Sequence, residues 1–203
     1  MRGLRAALPL FVLLLCSCTV APPRPAPEAD PAALRAEREA RVQAIRDWSF
    51  NGRVAVRGAD VDPRSVRMHW EARGERHQLD FMNPLGQRVA ELEFDAYGAT
   101  LRLPKEEARS AGSAEVLLDE ALGWTPPVRS LVYWVRGLPR PERIRAQDLY
   151  DERGRLTLLE QDGWLVEFDR WEDAAGVELP RRLTLSHPRL RVRLLVDGWS
   201  SGA

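Results

Sequence analysis

Beyond Trp48 apolar side chains return at every second residue, and a chain patterned this way has few folds open to it. Val54 and Val56 alternate with Arg53 and Arg57, and Val66, Met68 and Trp70 with Arg67, His69 and Glu71. Leu79 and Phe81 flank Asp80, Leu92 and Phe94 flank Glu93, and Leu101 and Leu103 flank Arg102. Further on, Trp164, Val166 and Phe168 alternate with Leu165, Glu167 and Asp169. Leu183 and Leu185 enclose Thr184, and Leu190, Val192, Leu194 and Val196 alternate with Arg191, Arg193 and Leu195. Successive side chains of a strand point to opposite faces, so the pattern predicts antiparallel strands with one dry and one wet face. Turn chemistry separates them at 58–63, 73–75, 83–86, 97–98, 162–163 and 173–176.

Two stretches break the period. Residues 32–48 are rich in Ala, Arg and Glu with Leu34, Val42, Ile45 and Trp48 as sparse apolar positions, which predicts a helix with a narrow buried stripe. In the middle, Ser113-Ala114-Glu115 opens a helical stretch to Gly123, and Val128 to Arg136 makes a second beyond Pro126-Pro127. Leu131, Trp134 and Val135 share one face of it. Two short helices inside a strand series must bury their apolar faces, and the dry face of the sheet is available. The expected result is a single α+β unit, mainly β: a strongly bent antiparallel sheet, or incomplete barrel, plugged by helices.

The N terminus reads as a leader. Arg2 and Arg5 precede the uncharged apolar run from Ala6 to Leu15, which is too short for the roughly 20 residues a bilayer span requires. The following Leu15-Cys16-Ser17-Cys18 resembles a bacterial lipobox with Cys18 at the acylated position. Residues 1–17 are then a signal peptide, and 18–31 a lipidated cysteine with a tether made stiff by Pro22, Pro23, Pro25, Pro27 and Pro31. Residues 32–203 form the domain. Thr19 after the cysteine, in place of Asp, points to the outer membrane.

The charge balance, 30 basic against 30 acidic residues, lacks the basic excess of a dedicated nucleic-acid binder. Both cysteines lie in the leader region, so no disulfide framework is expected. His69 and His77 sit among charges and are expected at the solvent face; His187 precedes Pro188 in a turn. No nucleophile–base pattern, paired carboxylates, metal-ligand spacing or phosphate loop stands out, so neither an enzyme nor a cofactor is expected. The 7 tryptophans either fill a large core or line an apolar cavity, and sequence cannot separate these. One turn carries an apolar tip: Leu85 in Phe81-Met82-Asn83-Pro84-Leu85-Gly86.

The lipobox, the N-terminal helix, the Asn83-Pro84-Leu85-Gly86 loop and the stretch from Gly123-Trp124-Thr125-Pro126-Pro127 through Leu131, Trp134 and Gly137-Leu138-Pro139 together resemble the LolB family of outer-membrane lipoproteins. Gln161-Asp162-Gly163-Trp164 to Phe168 and Leu179-Pro180 extend the resemblance over the mature chain. Two departures are the proline-dense tether and Pro127. The resemblance implies an unclosed antiparallel β-barrel with a helical lid over an apolar cavity. It implies a monomer, lipid-anchored in the outer membrane and facing the periplasm, that accepts acylated lipoproteins from a LolA-type carrier and passes them into outer-membrane lipid. The loop Asn83, Pro84, Leu85, Gly86 would meet the membrane, with Leu85 as its tip. The acyl-chain cavity would be lined by Val54, Met68, Trp70, Phe81, Phe94, Leu131, Trp134, Trp164 and Val166. Three chains of about fifteen methylenes, at about 0.8 kcal/mol each, make exposure of a free lipoprotein cost on the order of 30–40 kcal/mol. Such cargo must pass from shelter to shelter. The rival readings are a lipidated scaffold for envelope assembly with a solid core, and a lipocalin-like binder of one small hydrophobic molecule.

Overall fold

The computed structural model describes residues 30–59, 63–174 and 176–201, so the leader, Cys18 and most of the tether lie outside the described residues. Helix α1 spans Pro31–Ala44. Six strands follow: β1 Asp47–Gly58, β2 Arg64–Arg73, β3 Arg76–Met82, β4 Arg88–Phe94, β5 Ala99–Arg102 and β6 Arg109–Ala111. Helices α2 Ala114–Leu122 and α3 Val128–Trp134 come next. The chain closes with β7 Arg145–Tyr150, β8 Leu156–Gln161, β9 Trp164–Ala174, β10 Val177–His187 and β11 Leu190–Ser201.

All these strands belong to one antiparallel sheet in the order β6-β5-β4-β3-β2-β1-β11-β10-β9-β8-β7. The first and last strands are neighbours at its centre, with Val54 opposite Leu194 and Val56 opposite Val192. From there the chain meanders out to the β6 edge, and later returns from the β7 edge. Those edges do not pair with each other, so the barrel stays unclosed. The segment joining them has to cross the concave side, and that segment is α2 and α3. The helices plug the sheet because of where the chain must travel.

Strand alternation places Phe50, Met68, Trp70, Leu79, Leu92, Val166, Leu183 and Leu185 in one buried cluster with Trp134 and Val135 of α3. Most tryptophans are core: Trp48, Trp70 and Trp199 pack as tilted or edge-on rings within 6 Å of one another or of Phe50. A second small cluster of Val42, Leu138, Ala174, Val177 and Leu179 seats α1. Pro180 interrupts β10 at an irregularity of register, the place where a missing N–H does least harm.

Three sequence expectations change. Pro31 opens α1 instead of ending the tether, because Asp30 caps the helix by accepting from the Ala32 N–H at 3.0 Å and proline suits the first turn. The helix stops at Ala44, and Trp48 is the second residue of β1, where strand pairing wins over helix propensity. The buried stripe of α1 is Val42 with Arg38, whose guanidinium donates to the Glu178 carbonyl at 2.8 Å and lies over the Trp171 ring.

Candidate functional site

Between the helices and the β1–β5 half of the concave face lies an apolar cavity of about 560 Å³. Its floor is Val54 and Val56 of β1, Met68 and Trp70 of β2, Leu79 and Phe81 of β3, and Leu101 of β5, with Val192 and Leu194 from β11. Its roof is Leu118, Ala121 and Leu122 of α2, Trp124 and Pro126 of the linker, and Val128 and Leu131 of α3. Arg64, Glu106, Arg109 and Glu120 add charge to a lining that is otherwise hydrocarbon. The volume falls within the roughly 300–1,000 Å³ of small-molecule sites.

Of the residues expected in the lining, Val54, Met68, Trp70, Phe81 and Leu131 border the cavity. Phe94 faces inward but at the opposite end of the strands, stacked on His77 at 4.8 Å. Trp134 points away from the cavity into the sheet, fully buried, its indole N–H donating to Gln161 Oε1 at 3.0 Å. Val166 is solid core, and Trp164 packs against the His187 ring at 5.2 Å. The α2 side of the wall, Leu118, Leu122 and Trp124, lies outside the expected lining, although the i, i+4 spacing of Leu118 and Leu122 places them on one helical face. Of the seven tryptophans only Trp70 and Trp124 touch this space.

The helices are held unequally. α3 is tied to the β8–β9 side by Trp134 and by the Ser130 hydroxyl donating to Asp162 at 2.6 Å, and just beyond it Arg136 donates to the Ile45 carbonyl between α1 and β1 at 3.2 Å. α2 packs on β4, β5 and β6 and ends at Gly123 in the left-handed region with φ +75°. Among the described residues its side-chain polar ties reach α3 and the linker: Glu115 accepts the Arg129 N–H at 2.9 Å, and Asp119 the Thr125 hydroxyl at 2.8 Å.

The β3–β4 hairpin stands at the mouth. Asn83 Oδ1 accepts the N–H groups of Leu85 and Gln87, both at 3.0 Å, while the Gly86 N–H closes the turn on the Asn83 carbonyl at 2.9 Å. Gly86 has φ +79°, which suits glycine. This rigid turn presents Leu85 with 84% of its surface exposed. Val89, a few residues on, is part exposed and part of the cavity wall, so the strand that leaves this turn borders the interior.

His77 differs from expectation: it is buried, because its position on β3 shares the inward phase of Leu79 and Phe81. It accepts the Trp70 indole N–H on Nδ1 at 3.3 Å. Burial, with the nearby Arg136 charge, pulls its pKa from 6.5 down to about 4. The unfolded state therefore takes up this proton first. Stability is full above the unfolded value and is lost progressively as pH falls from 6.5 to about 4, by roughly 3 kcal/mol in all. Denaturant titrations at neutral pH and just above the folded-state value should show this loss, and His77→Phe should remove most of it; an equal loss in the variant would clear His77 of the effect.

Among the described residues no helix is long and apolar enough to cross a membrane, and no acidic, histidine or cysteine group has metal-binding geometry. A sequence profile described as outer membrane lipoprotein LolB matches residues 46–199. The chain is 37% identical to the outer-membrane lipoprotein LolB of Nitrosococcus oceani over 202 residues, 100% of both chains. It is 37% identical to that of Alkalilimnicola ehrlichii over 98% of each chain, and 36% identical to that of a Pseudomonas putida strain over 84% and 82%. In fold it is similar to an outer membrane lipoprotein-sorting protein domain from Vibrio parahaemolyticus, with TM-score 0.53 at 9% identity over 84% of this chain and 92% of that one. A LolA superfamily protein from Nitrosomonas europaea is also similar, with TM-score 0.50 at 8% identity over 83% and 94%. With the profile covering most of the domain and full-length relatives above a third identical, the chain belongs to the LolB family of outer-membrane lipoproteins.

Proposed function

We propose that this outer-membrane lipoprotein receives acylated lipoproteins from a LolA-type periplasmic carrier and releases them into the inner leaflet of the outer membrane. The observation that carries the reading is the apolar cavity opening beside the exposed Leu85 hairpin. Cys18, acylated, would hold the domain at the membrane through the proline-rich tether. The chain carries no phosphate loop to supply chemical energy, so each hand-over runs downhill by burying more hydrocarbon than the last.

Capacity bears on the mechanism. If a methylene takes about the 30 Å³ of a water molecule, one chain of about fifteen fills on the order of 450 Å³. A cavity of about 560 Å³ seats one such chain, and three require the roof to move. The loosely tied α2 is the part that would swing, with α3 as the fixed wall. The same volume would also suit a single-chain hydrophobic ligand, which keeps the lipocalin-like reading as the alternative.

Transfer separates them. A labelled triacylated lipoprotein on its carrier should move to this protein and then to liposomes; uptake of a free fatty acid without uptake of lipoprotein would establish the alternative. In the same assay Leu85→Glu should accept cargo normally but deliver it about ten-fold more slowly, the cost of losing one leucine's burial in lipid. Unchanged delivery would take the membrane role from the loop.

A further inference from the structure

The outer face of the sheet carries a second ordered feature. Side chains pointing away from the core on β11, β1 and β2 include Arg191, Arg193, Arg53, Arg57 and Arg67, all exposed. Arg57 stands opposite Arg191, and Arg53 opposite Arg67, in the strand register. Like charges directly opposed across antiparallel strands are unfavourable. Arg53 has Asp197 at 2.8 Å and Arg191 has Glu167 at 3.9 Å. Arg57, Arg67 and Arg193 have no ion pair or side-chain hydrogen bond among the described residues.

Apart from Glu167 and Asp197, which meet Arg191 and Arg53, the paired acids of β2, β3 and β4 on this face lie further along the strands. Asp80 and Glu91 pair with Arg88, Glu91 and Glu93 pair with Arg102, and Glu71 pairs with Arg73. Charge is thus sorted by position in a chain whose formal net charge is zero. The arginine end is the hairpin end: Arg67 pairs with Met82, the residue before Asn83, and Arg57 and Arg191 lie further the same way. Unpaired guanidinium groups and an 84%-exposed leucine therefore share one end of the molecule.

We infer that this arginine face binds the phosphate headgroups of anionic phospholipids and so holds the Leu85 hairpin against the bilayer during delivery. The inference builds on the membrane-delivery reading above. Guanidinium forks match phosphate oxygens bidentately, and the long stems let the charges reach down past the sheet to the headgroups. An acidic protein surface would satisfy the arginines but would leave Leu85 against charge, whereas a bilayer accepts both.

The test uses the Cys18→Ala protein, free of its own anchor, floated with vesicles of phosphatidylethanolamine and phosphatidylglycerol or of phosphatidylcholine alone. Binding should favour the anionic vesicles and weaken at high salt. Combining Arg57→Glu, Arg67→Glu and Arg193→Glu should reduce it by at least about a hundred-fold, since each basic residue near an anionic surface contributes about five-fold and reversal adds repulsion. Uptake of a fluorescent acyl peptide should not change. The corresponding Gln triple should fall between, which guards against misfolding of the Glu variant. Equal binding by parent and variants of unchanged melting temperature overturns the inference. So does a variant that binds vesicles normally but no longer takes cargo from the carrier. Charge-dependent vesicle binding without any acyl uptake by the parent would instead sink the cavity reading and leave the arginine face standing.

Discussion

Replacing Trp134 with Ala should lower the free energy of unfolding by about 4 kcal/mol, the usual cost of emptying a large aromatic site. The indole is fully buried between α3 and the sheet. Its N–H joins a network in which Gln161 Oε1 also accepts the Arg140 N–H at 2.9 Å, while Gln161 Nε2 donates to the Arg140 carbonyl at 3.0 Å. Those two backbone bonds survive the substitution, so the loss is mostly packing. Trp134→Phe keeps most of the ring contact and should cost far less, about 1 kcal/mol for the lost hydrogen bond plus a little volume. Denaturant midpoints at constant slope measure both, and an Ala variant no worse than the Phe variant would show that α3 is seated by other contacts. Because α3 is the fixed wall of the cavity, the Ala variant should also bind acyl chains more weakly under conditions where it stays folded.

Leu131→Glu should abolish most acyl-chain binding, by about a hundred-fold, at little cost to the fold. Leu131 lies one helical turn before Val135 but only half-buried, its exposed part lining the cavity roof. In the empty protein a carboxylate there can stay hydrated. Against a fatty chain it must give up water without a partner, or take a proton, at a cost on the order of 3 kcal/mol. Leu131→Met preserves volume and flexibility and should bind nearly as the parent does. Displacement of an apolar fluorophore by an acylated peptide reads the difference; equal affinity in the Glu variant would place the chain elsewhere.

Period-two alternation told which way a side chain faces but not how far along the strand it sits. Val54, Met68 and Phe81 were legible as cavity wall because their strands lie over the open half of the sheet. Trp164 and Val166 have the same inward phase on β9, yet that half is filled, and only tertiary placement distinguishes the two. Phe94 shares a strand with cavity-lining Ala90 and differs only in being at the far end. β7 carries no period-two signal, because Arg145 and Gln147 on one face and Asp148 on the other are polar and its side chains are mostly exposed, as those of an edge strand can be. His77 looked exposed because its sequence neighbours are charged, although its phase on β3 was already inward. The turn at Leu85 was readable as local chemistry, since Asn, Pro and Gly each meet a defined backbone demand there.

The pairing of β1 with β11 at the centre of the sheet has a consequence for how such a chain matures. A secreted polypeptide emerges from its N terminus, so β1 waits for a mate that is the last strand to arrive. Until then each meander is half a sheet with its oily side uncovered, and contacts this distant in sequence form slowly. The closing residues of the chain act as the zip that joins the halves, and shelter for another protein's fatty tails begins only once that zip is drawn.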